Sequence, residues 1–174
     1  MSAFCLPLSD FSFLSSAFEM LYLLFQIGND RYALEARHTL EVIPYLALKS
    51  IPHAPRGVAG IFNYRGQPVP AIDLCDLTFG RPARERLSTR IIVLNITGPD
   101  RHSRPLGLIA EHATEMMRRP ADDFVDSGVK VGAAPYLGPI IMDDQGIIQL
   151  LRAKYLLSEG VRALLFAQDC AVEP

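Results

Sequence analysis

The sequence predicts an all-β protein with a few short helices, and three observations lead to this prediction. Short apolar runs recur at close spacing along the 174-residue chain. Turns that draw on its 12 Gly and 13 Pro residues separate these runs. Only the segment 152–166 has the apolar spacing of a sustained amphipathic helix. Because 49% of the residues are apolar and 21% are charged, the chain can also bury a core, and a barrel or sandwich is expected.

The first elements are a strand–turn–strand unit and a segment that cannot form a long helix. "MLYLLFQIG" (20–28) ends in a Gly-Asn-Asp turn, and "RYALEA" follows it. The segment 36–48 contains Pro44, which stops any helix just before it. Residues 50–60 carry two Pro and two Gly residues, so they predict a loop with one helical turn opening at Pro55.

The centre of the chain predicts a β-hairpin. "VAGIFNY" and "QPVPAIDL" are apolar runs that Arg65 and Gly66 join. Pro68 and Pro70 have no N–H to donate, so the second strand should have an exposed or irregular edge. The following "CDLTFG" predicts a helical turn that Gly80 ends.

The second half repeats the strand–hairpin pattern after a polar segment, "RPARERLS" (81–88), which is the predicted boundary within the chain. The predicted elements after it are a buried strand at 89–96, a strand at 106–119, a loop at 120–135, a hairpin at 136–151 and a helix at 152–166 that Gly160 splits. Because the pattern occurs on both sides of the polar segment, we predict two small barrels.

The ends of the chain are expected to add little to this unit. Residues 1–19 predict a flexible tail and not a signal peptide, because no Lys or Arg precedes their apolar part. Met1 and Met20 are both candidate start sites. No apolar run reaches the length that a bilayer requires, so we expect no membrane insertion. The domain is predicted over 20–160, and 161–174 should hold the end of the helix and a tail.

Charge and cysteine content exclude several functions. The net charge is −2 and no basic stripe is present, which argues against binding to nucleic acid through phosphate contacts. An odd number of cysteines at wide spacing gives no zinc or redox motif and predicts reduced thiols. These cysteines are Cys5, Cys75 and Cys170.

The sequence contains no pattern that predicts catalysis. The four histidines are scattered, and Glu111 and His112 would point to opposite faces of a strand, so they could not share a metal ion. Cys75 has no neighbouring His to activate it, and packing is its expected role. Because G-x-S-x-G and phosphate-binding glycine loops are absent as well, we predict no catalytic residue, metal or cofactor.

Two isolated charges within apolar runs are the remaining candidates for function. Arg65 lies at the hairpin turn, and Glu41 lies within "TLEVIP". Arg65 can be an ordinary solvated turn residue. Alternatively, Glu41 and Arg65 pair beside a groove, where such a pair would orient a docking helix or strand. The residues alone leave both interpretations open.

Several segments, in this order, resemble the CheW-like family of bacterial chemosensory adaptors over about residues 20–160. They are "LLFQIGNDRYAL", "TLEVI", "IPHAPRGVAGIFNYRGQPVPAIDL", "STRIIVLNI", "LGLIAEHATEM" and "YLGPIIMDDQGIIQLLRAKYLL". The resemblance implies two intertwined, five-stranded SH3-like barrels around a shared apolar core. It also implies an adaptor that is not an enzyme and that joins the cytoplasmic tips of methyl-accepting chemoreceptors to the regulatory domain of a CheA-like histidine kinase. The resemblance also implies other CheW-like proteins as further partners and a location in the cytoplasm, at membrane receptor arrays.

The resemblance assigns a receptor-binding groove between the barrels. Its residues would be Thr39, Glu41, Gly60, Asn63, Arg65 and Gly66. In this assignment Glu41 and Arg65 form a polar pair, Gly60 allows a helix backbone to approach, and Gly66 permits the turn. Thr39, Tyr64 and Glu111 depart from the family's usual residues, and the wording near the hairpin is similar to adaptors of Wsp-type surface-sensing systems linked to cyclic-di-GMP.

Two further functions are compatible with parts of the sequence. A CheW-like regulatory module cut from a histidine kinase, or from a coupling–receiver fusion, would have the same fold, but no phospho-acceptor or receiver segment is present in the 174 residues. A small β-barrel enzyme would need a convergent polar pocket.

Overall fold

The structure is a computed structural model that describes residues 19–97, 101–128 and 132–166. The tail predicted at 1–19 (apart from Glu19) and the chain after 166 lie outside this range. The strands are β1 Glu19–Ile27, β2 Asp30–Glu35, β3 Thr39–Pro44, β4 Val58–Tyr64, β5 Gln67–Asp73, β6 Arg90–Thr97, β7 Ser103–Pro120, β8 Leu137–Asp143 and β9 Gly146–Leu151. The helices are α1 Leu74–Phe79 and α2 Glu159–Leu165, with short 3₁₀ turns at Ala36–His38, Ala121–Asp123 and Ala153–Tyr155. The prediction of a mostly β protein is therefore confirmed.

The nine strands form two five-stranded halves that share β7. In half A, β7 pairs with β1, β1 with β2, β2 with β9 and β9 with β8. In half B, β3 pairs with β6, β6 with β7, β7 with β5 and β5 with β4. The two parallel pairs, β2–β9 and β5–β7, join strands that are distant in the sequence. This topology agrees with the two five-stranded units that the resemblance implies.

The strand β7 changes partners at its centre. Ala110 pairs with Arg90 of β6, whereas Glu111 pairs with Gln26 of β1. The next residue, His112, has a φ of 48°, in the left-handed region that few residues other than glycine adopt. Glu111 is buried and His112 is exposed. One long strand therefore serves both halves.

The core has a shared centre and a private part in each half. Side chains on alternating positions of β6 face the two sides: Ile92, Leu94 and Ile96 enter the shared cluster, while Ile91 and Val93 pack inside half B. On β1, the shared cluster takes Leu23, Phe25 and Ile27, and the private cluster of half A takes Tyr22 and Leu24. Because these strands bury both faces, their sequences are continuous apolar runs.

Half B closes through a segment that follows β3. The N–H and C=O groups of Lys49 and Ile61 exchange two hydrogen bonds of 2.8 Å, which join this segment to β4. On the other side of the hairpin, β5 pairs with β7 only over Ala71–Asp73 within the described residues. The stretch with Pro68 and Pro70 therefore lies at an edge, as the sequence predicts.

Local predictions were mostly correct, with two corrections. The hairpins β4–β5 and β8–β9 and the helix α1 form as expected, and Gly80 ends α1 with a φ of 69°. Pro55 begins a turn and not a helical turn. The C-terminal helix is interrupted before Ser158 and not at Gly160, because the Ser158 Oγ accepts the N–H of Val161 and starts α2 there.

The predicted boundary at 81–88 also differs from the structure. This segment joins α1 to β6, and the strands that precede and follow it along the chain, β5 and β6, both belong to half B. The halves interleave along the chain because β1 and β2 pair with strands from its two distant parts, β7 and β9. Local polarity marked a surface loop, but it did not mark the division between the halves.

Candidate partner-binding surface

The β4–β5 hairpin ends in a two-residue turn with a defined geometry. Arg65 and Gly66 have φ values of 52° and 86°, both in the left-handed region. Two consecutive positive φ values are typical of the turn whose twist matches a tight β-hairpin. The side-chain Oδ1 of Asn63 accepts the N–H of Gly66 at 2.8 Å and holds the turn closed. Gly66 thus has the turn role expected of it, and Asn63 acts through the turn.

A carboxylate on β3 accepts two hydrogen bonds from this hairpin. The Tyr64 hydroxyl and the Arg65 Nη2 each donate to the Oε2 of Glu41 at 2.8 Å. The Arg65 guanidinium carbon also lies 5.2 Å from the centre of the Tyr64 ring. The pair expected between Glu41 and Arg65 is therefore present, and Tyr64 completes a cluster of three. We call Glu41, Tyr64 and Arg65 the hairpin cluster.

Hydrogen bonds dominate the electrostatics of the hairpin cluster. The Tyr64 phenol, followed by the Arg65 guanidinium, lowers the pKa of Glu41 by stabilising its ionised form. The hydrogen bond to Glu41 in turn raises the pKa of Tyr64. The Arg65 side chain is 73% exposed and that of Glu41 is 40% exposed. Because the cluster is solvated, it contributes little to folding stability.

Apolar side chains lie beside the hairpin cluster. Leu40 lies at the register shift between Thr39 and Glu41, and Val42 points away from the face that carries Glu41. They are 53% and 36% exposed, respectively. Thr39 begins β3 opposite Leu94, a register shift separates it from Glu41 opposite Val93, and its buried Oγ1 has no hydrogen-bond partner among the described residues. The edge strand β3 therefore offers polar and apolar groups on its two faces.

Gly60 does not lie on this surface. A Cβ atom built on it would be 2.5 Å from the carbonyl oxygen of Lys49 and 3.2 Å from the Cβ of Leu48. Gly60 is buried, and the backbone that approaches it belongs to the chain's own closing segment. The small size of Gly60 therefore makes room for the chain's own backbone and not for an external helix, so the expected role of Gly60 is wrong. The other five expected residues lie on β3 or the hairpin.

Tyr64 is the residue of the cluster that the site prediction omitted. A signal was available, because a tyrosine beside an exposed Arg-Gly turn carries a hydroxyl that commonly takes a polar partner. Glu41 lies on a strand, 24 residues before Arg65, so the residues next to Tyr64 in the sequence give no sign of this partner.

The described residues show no other chemical constellation of this kind. Within residues 19–97, 101–128 and 132–166, no three His, Cys, Asp or Glu side chains group as metal ligands. Cys75 is fully buried, and its burial raises the pKa of the thiol. No helix in the described ranges combines the length and apolar character needed to cross a bilayer.

Comparison with known proteins gives the family. Residues 21–161 match the CheW-like domain. The chain is 31% identical over 102 residues to the chemotaxis protein CheW of Helicobacter pylori, a match that spans 58% of each chain. It is 28% identical over 142 residues to the protein FrzA of Myxococcus xanthus, covering 80% of this chain and 86% of FrzA.

A solved structure supports the fold independently. The scaffolding protein TtCheW from Thermoanaerobacter tengcongensis superposes with a TM-score of 0.73 at 23% identity. The match covers 84% of this chain and 94% of that chain. The fold agrees with this neighbour, and the family match extends over most of the sequence. The chain belongs to the family of the CheW-like domain.

Proposed function

We propose that this chain is a signalling adaptor without catalytic activity, which couples the cytoplasmic tips of methyl-accepting chemoreceptors to a CheA-like histidine kinase. The observation that carries the proposal is the hairpin cluster, in which Glu41, Tyr64 and Arg65 hold one another at an exposed turn. Exposed polar clusters contribute little to stability. They can, however, set the orientation and specificity of a docked helix.

The receptor surface in this proposal consists of Thr39, Glu41 and Arg65. Asn63 and Gly66 contribute by shaping the turn that carries Arg65. Gly60 is left out because Lys49 already occupies the space beside it. A receptor helix that presents an acidic group to Arg65 would compete with Glu41 for the guanidinium. Affinity for the receptor should therefore depend on the charge at position 65.

The wider setting follows from the same proposal. The second partner is the regulatory domain of the kinase, with other CheW-like proteins as further partners. The adaptor would act in the cytoplasm, held at receptor arrays through its partners. The similarity to FrzA supports a specialised pathway. Surface sensing linked to cyclic-di-GMP is our more specific hypothesis for that pathway.

Reversal of the charge at Arg65 tests the receptor assignment. We expect Arg65→Glu to lower affinity for the cognate receptor's signalling tip by about tenfold or more, because two carboxylates would then face each other at the surface. The measurement is titration calorimetry with the purified proteins. The thermal unfolding midpoint should stay close to that of the parent, since the side chain is largely exposed.

Arg101→Glu is the matched control for this experiment. Arg101 is also an exposed arginine with a left-handed φ, 62°, but it lies on the connection between β6 and β7. The Arg101→Glu variant should bind the receptor with the affinity of the parent. Equal affinity of parent and Arg65→Glu would remove Arg65 from the receptor surface. A parent that binds neither receptor nor kinase would refute the adaptor proposal itself.

A further inference from the structure

A contiguous group of apolar side chains lies on the outside of half A. Met142 and Ile147 pair across the β8–β9 hairpin, and Val125 pairs with Ile140 on the other edge of β8. Paired residues share a face of the sheet, and so do residues two apart on one strand. Ile141 points to the opposite side, into the private cluster of half A. We call Val125, Ile140, Met142 and Ile147 the apolar face.

The apolar face is open to solvent within the part of the chain that the structure describes. Met142 is 69% exposed, Val125 is 57% exposed and Ile147 is 54% exposed. Exposed apolar residues that are scattered singly are normal, but a contiguous group usually marks a surface that another segment or molecule covers. A depression of about 430 Å³ lies beside the face, and its lining residues are Arg119, Asp123, Val125, Ile141 and Met142.

The backbone beside the apolar face is incompletely paired. The strand β8 is the last in the order of half A, and on its outer edge the described residues form one bridge, in which Val125 and Ile140 exchange two hydrogen bonds of 2.8 Å. No strand among the described residues continues this pairing beside Met142. Natural proteins seldom leave an apolar edge uncovered, because it can pair with other chains. The face therefore requires an occupant.

Residues 1–18 join the folded chain next to this face. The strand β1 begins at Glu19, and its second residue, Met20, pairs with Arg119. Paired residues of antiparallel strands have Cα atoms about 4.5–5.5 Å apart. Arg119 also lines the depression. Because an extended chain advances about 3.3–3.6 Å per residue, the 18 residues before Glu19 are long enough to cross the apolar face.

The composition of residues 1–18 suits an apolar surface. They contain four of the nine Phe residues of the chain and three Leu residues, and Asp10 is their only charged side chain. The lining of the depression carries one cation and one anion, Arg119 and Asp123. It therefore requires no net charge of its occupant, and a segment with so little charge matches it.

The chain after Phe166 is less suited to this role. Residues 167–174 contain no Phe, Leu or Ile and carry two carboxylate side chains. They continue from Phe166, whose carbonyl accepts a hydrogen bond of 3.0 Å from the Arg104 guanidinium. Because Arg104 pairs with Ile96 of β6, this segment joins the folded chain at half B and not beside the apolar face of half A.

We propose that residues 1–18 bind to the apolar face of half A of the same chain and cover it. The contact is intramolecular, so the tether gives the segment an effective concentration on the order of millimolar at the face. Weak apolar contacts are therefore sufficient to keep the face covered. The covered face is closed to other molecules as long as the segment stays in place. This inference goes beyond the adaptor function and does not depend on it.

Methionine oxidation measures whether the apolar face is covered. Hydrogen peroxide converts an accessible methionine to its sulfoxide. Met116 is an internal reference, since it is 57% exposed on β7, outside the apolar face. In the full chain we expect Met142 to be oxidised about tenfold or more slowly than Met116, although Met142 is the more exposed of the two within the described residues. Peptide mass spectrometry gives both rates from one reaction.

Substitutions within the segment show whether it provides the cover. The test variant carries Phe11→Asp, Phe13→Asp and Leu14→Asp, which replace apolar side chains by charged ones and leave residues 19–174 intact. In this variant the oxidation rate of Met142 should rise to that of the internal reference, because the charged segment no longer binds an apolar surface.

A matched control variant separates apolar contact from charge. It carries Ser12→Asp, Ser15→Asp and Ser16→Asp, which add the same charge to the same stretch and keep its apolar side chains. Met142 should be protected in this variant as it is in the parent. Equal loss of protection in the test and control variants would show that charge, and not apolar contact, controls the rate, and would overturn the inference.

Three further outcomes would also overturn the inference. Equal oxidation of Met142 and Met116 in the parent would show that the face is free. Protection that decreases on dilution of the protein would show that a second copy covers the face. Protection that persists in the test variant at every dilution would assign the cover to another part of the chain. The adaptor function would stand in each case, because binding to the receptor and the kinase tests it separately.

Discussion

The phenol of Tyr64 changes what Glu41 can do. A lone Glu41–Arg65 pair at an exposed turn would sample many geometries, because arginine has a long and flexible side chain. The hydroxyl at 2.8 Å adds a second link, from a rigid ring that itself packs beside Phe62 at a centroid distance of 6.4 Å. The carboxylate is thus positioned by an aromatic group anchored to the core. A leucine at this position would not provide that link.

The pH dependence of Glu41 follows from the sign of its shift. The pKa of Glu41 is lowered in the folded protein, first by the Tyr64 hydrogen bond and then by Arg65. The stabilisation is therefore present above the ordinary glutamate pKa, and it is lost as the pH falls through the lowered value.

We expect Tyr64→Phe to raise the pKa of Glu41 towards its ordinary value, as measured by NMR titration of the side-chain carboxyl. An unchanged pKa would show that Arg65 alone sets it. Tyr45→Phe, which removes a hydroxyl bonded to Glu85, is the control and should leave Glu41 unaffected.

At the scale of elements, half B depends on the segment that follows β3. The open edges of its sheet are β3 and β4, the two ends of the strand order. The Lys49–Ile61 bridge and the hairpin cluster link these ends, one through the backbone and one through side chains. Closure of this kind removes exposed edges that could pair with other chains. The site is therefore built on the same contacts that close the half.

Substitutions at two glycines distinguish the effect of backbone crowding on stability from the effect of turn geometry. Gly60→Ala would place a methyl group 2.5 Å from the Lys49 carbonyl at a φ of 150°, so the closing segment must move. Gly66→Ala meets no atom within 4 Å, and only its φ of 86° is unfavourable. We expect chemical denaturation to show a loss of about 2–4 kcal/mol for Gly60→Ala and about 1 kcal/mol for Gly66→Ala. The reverse order would contradict the closure described above.

At the scale of the whole molecule, the two halves cannot be treated as separate domains. The strand β7 belongs to both, and the shared cluster takes side chains from β1 and β2 of half A and from β5 and β6 of half B. Half A also collects strands from both ends of the described chain. A partner that binds to one half therefore contacts a protein whose core extends into the other half.

The sequence was informative where a structural feature is local. The turn at Arg65 and Gly66, the end of α1 at Gly80 and the hairpin β8–β9 each depend on neighbouring residues, and they were predicted correctly. Pairing between distant segments leaves no local pattern. The parallel β2–β9 pair, the Lys49–Ile61 bridge and the Tyr64–Glu41 bond are of this kind, so the half boundary, the role of Gly60 and the third member of the cluster were missed.

A shared interior should make unfolding a single event for both halves. Leu106→Ala removes a fully buried side chain from the shared cluster, and Ile148→Ala does the same in the private cluster of half A. Each should reduce the free energy of unfolding by about 2–5 kcal/mol. Hydrogen exchange should show that Leu106→Ala lowers the protection of the slowest amides in β4–β5 and β8–β9 by equal amounts. If the most protected amides of one half keep the parent's protection, the halves unfold separately and the shared core does not couple them.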